Sequence, residues 1–227
     1  MMELQMPQPA ELTKRRAMRL SRPLRIVSSL ALVVAANAVP PAHAAAGPSF
    51  DCQAVSEGST ESLICADQNL SALDRKLAEV YSSAIARAHN EHPPVLRAEQ
   101  RGWLKGRDDC WKAEDETVCV AQAYTARIAE LQARYALVES AGPVFYSCDG
   151  NPAKEVVATF FRTEPATLIA EFGDQVSLMF QQEDADGTWY RGRNESLRQD
   201  GAEAKIVWGY GASEMVCASR RPTARPQ

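Results

Sequence analysis

Two kinds of hydrophobic spacing divide this sequence into a helical part and a strand part. Between residues 50 and 138, apolar residues recur at three- and four-residue steps, the spacing of one buried helix face. This pattern predicts an antiparallel bundle of three helices within a domain over residues 45–138. The helices are expected at 59–88, 95–111 and 117–137. Gly142 and Pro143 then end the helical pattern, so residues 139–143 are predicted to be a linker.

From residue 144 onward, the spacing changes to the alternation of half-buried strands. Eight short segments of this kind are separated by Gly, Pro, Asp or Asn. They cover 144–148, 155–161, 167–171, 175–181, 188–191, 195–198, 203–208 and 214–218. Regularly spaced short strands predict a small antiparallel barrel or sandwich. We therefore expect a two-domain α+β protein, with a β domain over residues 144–220 and a disordered tail over 221–227.

Two Asp-Gly pairs lie between predicted strands, at Asp186-Gly187 and Asp200-Gly201. Asp-Gly between strand-forming residues indicates a tight hairpin, because glycine tolerates the positive φ that such turns need. The turns are 14 residues apart, from 186 to 200, and can present two loop tips on one rim of a barrel. We expect Tyr190 to pack inside and its neighbour Trp189 to face outward, where it is a candidate contact anchor.

The first 44 residues have the features of a secretory signal peptide. Six basic residues between Lys14 and Arg25 precede an apolar run over Ile26–Val39, which is short for a membrane span. Ala42-His43-Ala44 is a small-residue cleavage site, so cleavage is expected near Ala44. The first cysteine after it lacks the small apolar approach of a lipoprotein site, and no later stretch is long enough to cross a bilayer. A soluble periplasmic or secreted protein is predicted.

The charge of the processed chain bears on its partners. Residues 1–44 hold six of the 25 basic and two of the 29 acidic residues, which leaves 19 and 27 and a formal charge of −8. Such a chain repels nucleic acid and suits a basic protein partner. Solubility alone is the competing explanation.

All six cysteines follow the predicted cleavage site. An even number in an exported chain predicts disulfides. A metal site is disfavoured, because the processed chain has only His89 and His92 and no Cys-x-x-Cys pair. A bond between Cys148 and Cys217 would tie the first predicted strand to the last. The other four fall at one pole of the helical bundle, with three pairings open: Cys52, Cys65, Cys110 and Cys119.

Several motifs in the helical part resemble the LprI-type N-terminal domain. They are Glu61-x-x-Ile64-Cys65, Leu70-x-x-Leu73-Asp74, Gln100-Arg101-x-Trp103-Leu104-x-x-Arg107-Asp108-x-Cys110 and Tyr124-x-x-Arg127-Ile128-x-x-Leu131. The resemblance implies an exported, cysteine-bridged domain, and at least one family member is associated with lysozyme inhibition. From the residues alone, Arg107 and Asp108 are either a binding pair or, more ordinarily, a helix-end cap or surface salt bridge.

The strand part resembles the MliC family. The motifs are Tyr146-x-Cys148-Asp149-Gly150, the turn Asp186–Tyr190, the turn Asp200–Ala204, Ile206-x-Trp208 and Cys217. The family implies a periplasmic or outer-membrane inhibitor of c-type lysozyme, built as an eight-stranded antiparallel β-barrel. Its two turns enter the lysozyme cleft, where a Ser hydroxyl and a Lys cation meet the two carboxylates that cleave the glycoside.

This sequence departs from the MliC pattern at both turns. Asp186 stands in place of Ser and Asp200 in place of Lys. Carboxylates repel other carboxylates unless one of them takes a proton. The lysozyme-binding positions implied by the resemblance are Asp186, Gly187, Tyr190, Asp200 and Gly201. Auxiliary contacts are expected from Trp189, Arg191 and Arg198, and Arg193 and Lys205 are further cations near the turns.

No catalytic motif is found in the sequence. It has no Gly-x-Ser-x-Gly elbow, no phosphate-binding glycine loop and no His-x-x-x-His pair. We therefore expect neither an enzyme nor a cofactor. The predicted function is an exported inhibitor of c-type or related lysozymes. The alternative is a cell-envelope binding protein that keeps the scaffold but has lost the inhibitory Ser and Lys.

Overall fold

The computed structural model describes residues 47–88, 94–183 and 188–220. Several sequence-based predictions lie outside these residues: the signal peptide over 1–44, the tail over 221–227, the histidines at 89 and 92, and the turn residues Asp186 and Gly187.

The N-terminal part contains four α-helices. They are α1 (Thr60–Ala66), α2 (Gln68–Arg87), α3 (Val95–Asp108) and α4 (Glu116–Arg134), with 3₁₀ turns at Cys52–Ala54 and Asp109–Lys112. The prediction of a single first helix was wrong, because Asp67 ends α1 and begins α2. Asp67 has extended backbone angles, and its side chain accepts a hydrogen bond from the Leu70 amide. This N-cap satisfies one of the otherwise unpaired amides of α2.

The helical core lies where α2 and α3 pack against α4. The apolar positions that recur in the sequence supply it, as the helical spacing predicts. Its largest fully buried side chains are Ile64, Leu70, Leu96, Val120, Tyr124 and Leu131. Trp103 packs edge-on against Tyr124, with ring centroids 5.2 Å apart.

The C-terminal part is a closed antiparallel β-barrel in which each strand pairs with the next. The strands are β1 (Ser140–Cys148), β2 (Asn151–Phe161), β3 (Thr167–Phe172), β4 (Gln175–Gln181), β5 (Trp189–Arg191), β6 (Glu195–Asp200), β7 (Glu203–Trp208) and β8 (Met215–Arg220). Pairing of β1 with β8 closes the sheet. The fold class and the count of eight strands are confirmed.

The predicted linker over 139–143 is wrong for all but its first residue, because β1 begins at Ser140. A β-bulge between Ala141 and Val144 absorbs the Gly142-Pro143 pair that suggested a break. Gly142 has a φ of 113°, and a Cβ there would lie 3.0 Å from the Ala158 carbonyl oxygen. Only glycine fits this position without strain.

Alternate side chains of the strands fill the barrel. The fully buried ones include Cys148, Val156, Leu168, Met179, Leu197, Ile206 and Cys217. Trp208 packs edge-on against Phe172 near the surface, with centroids 5.6 Å apart.

Three disulfides join all six cysteines. Cys52 bonds to Cys65 and Cys110 to Cys119, which selects one of the three pairings left open for the helical domain. Cys148 bonds to Cys217, and these residues also lie opposite each other in β1 and β8.

The meander topology assigns every connection to one of two barrel ends. The β2–β3, β4–β5 and β6–β7 connections lie at the end where β1 begins, which we call the proximal end. The β1–β2, β3–β4, β5–β6 and β7–β8 connections lie at the distal end. No helix in the described residues has the length and apolar character needed to span a membrane.

Candidate functional site

The β6–β7 hairpin projects from the proximal end of the barrel. Asp200 pairs with Glu203, so Gly201 and Ala202 form the turn. Gly201 has a φ of 59°, in the left-handed region that glycine adopts readily. Asp200 and Gly201 are both exposed. The tip of this hairpin is therefore available to a partner.

The β4–β5 connection begins and ends beside this hairpin. Gln199, next to Asp200, donates its amide to the Thr188 carbonyl at 3.0 Å. On the other side, the Gln182 amide donates to the Trp189 carbonyl at 2.8 Å. The flanks of the predicted Asp186-Gly187 turn thus lie on the same rim as Asp200-Gly201.

Tyr190 lies inside the barrel and not at the surface. Its side chain is 7% exposed and packs edge-on against Phe160, with ring centroids 5.6 Å apart. The expectation that it packs inside agrees with this placement. Its assignment as a lysozyme-binding position does not, because a buried ring supports the hairpin from within and offers no contact surface.

A second buried tyrosine, Tyr146, holds β6 in position through a hydrogen bond. The Gln199 side-chain amide donates to the Tyr146 hydroxyl at 3.1 Å, across the barrel from β6 to β1. Burial raises the pKa of Tyr146 above its ordinary value. The residue next to the Asp200 turn is therefore held by both its backbone and its side chain.

The outer face beside the hairpins carries a row of large side chains on neighbouring strands. Trp189 pairs with Arg198 across β5 and β6, and Arg198 pairs with Lys205 across β6 and β7. We call these three residues the outer row. The Arg191 guanidinium stacks over the Trp189 ring, 5.5 Å from its centroid. The outer row therefore combines one aromatic surface with two cations.

A polar groove of about 510 Å³ connects the outer row to the hairpin tip. It is lined by Thr188, Arg198, Gln199, Asp200, Gly201, Lys205 and Glu214. Lys205 Nζ is 4.0 Å from a Glu214 carboxylate oxygen, and both side chains are more than half exposed. Two cations and two carboxylates line the groove, so it can present either charge to a partner. Nothing in the described residues groups three or more metal-ligating side chains.

Each of the two domains matches a known protein family. Residues 146–215 match the family described as membrane-bound lysozyme inhibitor of c-type lysozyme, MliC. Residues 52–131 match the family described as lysozyme inhibitor LprI. The chain joins an LprI-type domain to an MliC-type domain. Both families are named for lysozyme inhibition.

Curated relatives extend across the junction of the two domains. The chain is 29% identical over 165 residues to the lipoprotein LprI of Mycobacterium bovis and to that of Mycobacterium tuberculosis. The match covers 70% of this chain and 81% of each relative. No solved structure matches the chain significantly.

The structure also contains a polar feature that sequence reasoning missed. Arg107 does form a salt bridge with Asp108, but its guanidinium is only 3% exposed, so the pair is not an ordinary surface salt bridge. Its partners Glu61 and Tyr124, and Asp74 that accepts from Tyr124, were visible in the LprI-type motifs, but their spacing along the chain gave no sign that they meet.

Proposed function

We propose that the protein is an exported inhibitor of a c-type or related lysozyme, bound through the proximal end of the β-barrel. The β4–β5 and β6–β7 hairpins enter the sugar-cleaving groove of the enzyme. The descriptions of both matched families support lysozyme as the partner. In this role the chain acts by occlusion and performs no chemistry of its own.

One observation carries the proposal: the hydrogen bond from Gln199 to Thr188 at 3.0 Å. It ties the residue before the β6–β7 tip to the last residue of the β4–β5 connection. The bond holds the end of the β4–β5 connection beside the β6–β7 tip, so both connections can face a single cleft. A binding surface whose supporting strands are already fixed loses less conformational entropy on binding than one built on independent loops.

The cations of the outer row supply the charge that Asp200 does not. A lysozyme cleft carries two carboxylates. Arg198 and Lys205 both line the groove that ends at the hairpin tip. The planar guanidinium of Arg198 can bind a carboxylate through two parallel hydrogen bonds. Trp189 adds apolar contact area next to this charge, in the arrangement typical of interface hot spots.

The overall charge favours the same partner. The chain after residue 44 carries 19 basic and 27 acidic residues, a formal charge of −8. An acidic inhibitor is steered toward a basic enzyme, which mainly increases the association rate. Local cations at the rim can then meet the local carboxylates of the cleft.

A lysis assay tests the proposal. The purified protein is expected to slow lysis of a bacterial suspension by c-type lysozyme in a dose-dependent manner. Substituting both Arg198→Ala and Lys205→Ala should raise the half-inhibitory concentration by about tenfold or more. Lys154→Ala is the matched control, because that cation pairs with Asp149 beside the distal β1–β2 turn. Unchanged lysis at large inhibitor excess would refute the proposal for this enzyme class.

The exposed carboxylate of Asp200 favours a second candidate function, a non-inhibitory envelope binding protein. In the MliC pattern this turn carries a cation, and a carboxylate facing the enzyme's carboxylates would be repelled. The variant carrying Asp186→Ser and Asp200→Lys separates the two functions. If the native chain is inactive and this variant inhibits, the scaffold has lost inhibition through its tips. If neither inhibits, the barrel binds something other than this enzyme class.

A further inference from the structure

A cavity of about 560 Å³ opens in the helical domain, and all of its lining residues lie between Ser49 and Arg107. It lies between α2, α3 and the segment before α1. Its walls are mainly apolar and aromatic, formed by Phe50, Leu77, Tyr81, Trp103 and Leu104. The volume falls in the range of ligand sites, roughly 300–1,000 Å³.

A charged network at the edge of this cavity joins all four helices. Arg107 of α3 pairs with Glu61 of α1 and donates to the Tyr124 hydroxyl of α4 at 3.0 Å. That hydroxyl donates to Asp74 of α2 at 2.9 Å. Arg107 also donates through Nε to Asp108 at 2.9 Å. The guanidinium is thereby committed to protein partners, and its hydrogen-bonding capacity is largely used within the fold.

The charge left over at the cavity is negative. Three carboxylates line it, those of Asp51, Glu61 and Asp74, against the single guanidinium of Arg107. Asp74 is buried and accepts from the Ser49 amide at 2.6 Å. Asp51 is exposed, and Glu61 is 36% exposed, so these two carboxylates face the entrance. An anion would be repelled there, whereas a cation gains two acceptors.

We propose that this cavity binds the side chain of an arginine or lysine presented by a basic protein. The long aliphatic stem of such a side chain would lie against Leu77 and Leu104, as these amphipathic residues do on apolar surfaces. Its cationic head would lie near Asp51 and Glu61. The aromatic ring of Tyr81, which also lines the cavity, would make a cation–π contact with it. Identifying the basic protein as a lysozyme rests on the proposed function.

The test titrates the ¹⁵N-labelled full chain with Nα-acetyl-arginine amide. The reporter is the NMR signal of the Trp103 indole N–H, which donates to the Ala123 carbonyl at 3.3 Å beside the cavity. A saturable shift is expected at millimolar concentration. Nα-acetyl-citrulline amide has the same shape without the charge, and it should give no saturable shift over the same range.

Two pairs of variants locate the binding site. Ala78 is an exposed residue of α2 that lines the cavity, so Ala78→Trp should fill the entrance and abolish saturation. Ala72→Trp is the control, at another exposed position of the same helix. Asp51→Asn should weaken binding about threefold, as expected for one exposed charge. Asp115→Asn is its control, because both aspartates accept a backbone amide at the start of a helix.

The proposal is overturned if the arginine amide gives no saturable shift, if the citrulline amide binds equally well, or if Ala78→Trp leaves the titration unchanged. This titration contains no lysozyme, so its outcome is independent of the lysis assay. A positive titration with a failed lysis assay would reject the proposed enzyme partner and retain the cavity as a cation site.

Discussion

The two domains bury different kinds of groups. The barrel core is apolar apart from hydroxyl and amide groups near its ends, such as Thr163 and Thr167, whose hydroxyl oxygens lie 2.8 Å apart. The helical core contains whole charges: Arg107 and Arg127 are each 3% exposed and Asp74 is 8% exposed. Each domain nevertheless forms one contiguous core.

The difference reflects how each domain fixes its backbone. In the closed barrel, tight turns and the alternation of inward apolar side chains set the register, so the core needs no charged groups to fix it. Helices satisfy their own backbone groups and leave their mutual arrangement to side chains. The network of Glu61, Asp74, Arg107 and Tyr124 takes one residue from each helix and can specify that arrangement. Buried charges add little net stability, so we interpret the network as a specificity device.

The helical core also contains one buried side-chain hydrogen-bond donor that has no partner in the part of the chain that the structure describes. Arg127 donates from Nε to Gln100 and from Nη1 to Glu130, at 3.1 and 2.8 Å. Its Nη2 is buried without a hydrogen-bond partner among the described residues. An unpaired buried donor costs roughly 1–3 kcal/mol, so this domain has more to gain from a redesign of its interior than the barrel has.

The largest expected effect is the loss of stability when a disulfide is removed, and it differs between the two domains. The Cys148–Cys217 bond closes a separation of 69 residues, and replacing both cysteines by alanine should cost about 4 kcal/mol. The Cys110–Cys119 bond spans only 9 residues, so the same change there should cost about 2.5 kcal/mol. Urea denaturation measures both values. An equal loss at the two bonds would contradict the loop-length argument.

The second effect tests whether the helices depend on their buried charges. Arg107→Ala removes the donor to the Tyr124 hydroxyl oxygen and the cation that pairs with Glu61, and we expect a loss of about 3 kcal/mol. Hydrogen exchange should show reduced protection in α2 and α4 and unchanged protection in β2 and β3. Leu197→Ala in the barrel is the reciprocal variant and should show the reverse pattern. A loss below about 1 kcal/mol for Arg107→Ala would mean that packing alone orders the bundle.

The smallest effect concerns pH. Burial, together with nearby Asp74, raises the pKa of Tyr124 well above its ordinary value of 10.0. Above pH 10 the unfolded chain loses this proton while the folded chain keeps it, so wild-type stability falls as pH rises. Tyr124→Phe should cost about 1 kcal/mol at neutral pH and make stability fall less steeply above pH 10.

Tyr146→Phe provides the corresponding measurement for the barrel. Burial raises the pKa of Tyr146 in the same direction, but its hydroxyl has a neutral amide as its partner. Thermal unfolding between pH 8 and 11.5 measures how the free energy of unfolding of each variant changes with pH. We expect differences on the order of 1 kcal/mol. A steeper alkaline decline in Tyr124→Phe than in wild type would contradict the assigned direction.

The strands could be predicted from the sequence because alternation and turn residues act locally. Two strands begin earlier than predicted: β1, where a bulge incorporates Gly142 and Pro143 that locally indicate a break, and β2, which begins at Asn151 instead of residue 155. The division at Asp67 was also missed. Apolar spacing continues through α1 and α2, and the only local signal is the aspartate that caps α2. Asp67 could either cap a new helix or lie within one continuous helix, and the local sequence does not distinguish these two outcomes.

The candidate site was predictable only in part. A hairpin at Asp200-Gly201 was correctly expected, although its two turn residues are Gly201 and Ala202, because Gly201 supplies the positive φ that such a turn needs. The sequence correctly predicted that Tyr190 packs inside, whereas its assignment as a lysozyme-binding position came from the resemblance and disagrees with that burial. The outer row and the Arg107 network depend on pairings between strands and between helices that local patterns do not encode.

Closure of the barrel through β1 and β8 makes the last strand decisive for solubility. A chain that stops before Met215 would lack β8 and leave β1 and β7 as unpaired edges. Exposed edges recruit strands from other chains and lead to aggregation. Synthesis proceeds from the N-terminus, so Met215–Arg220 is the last part of the barrel to become available for pairing.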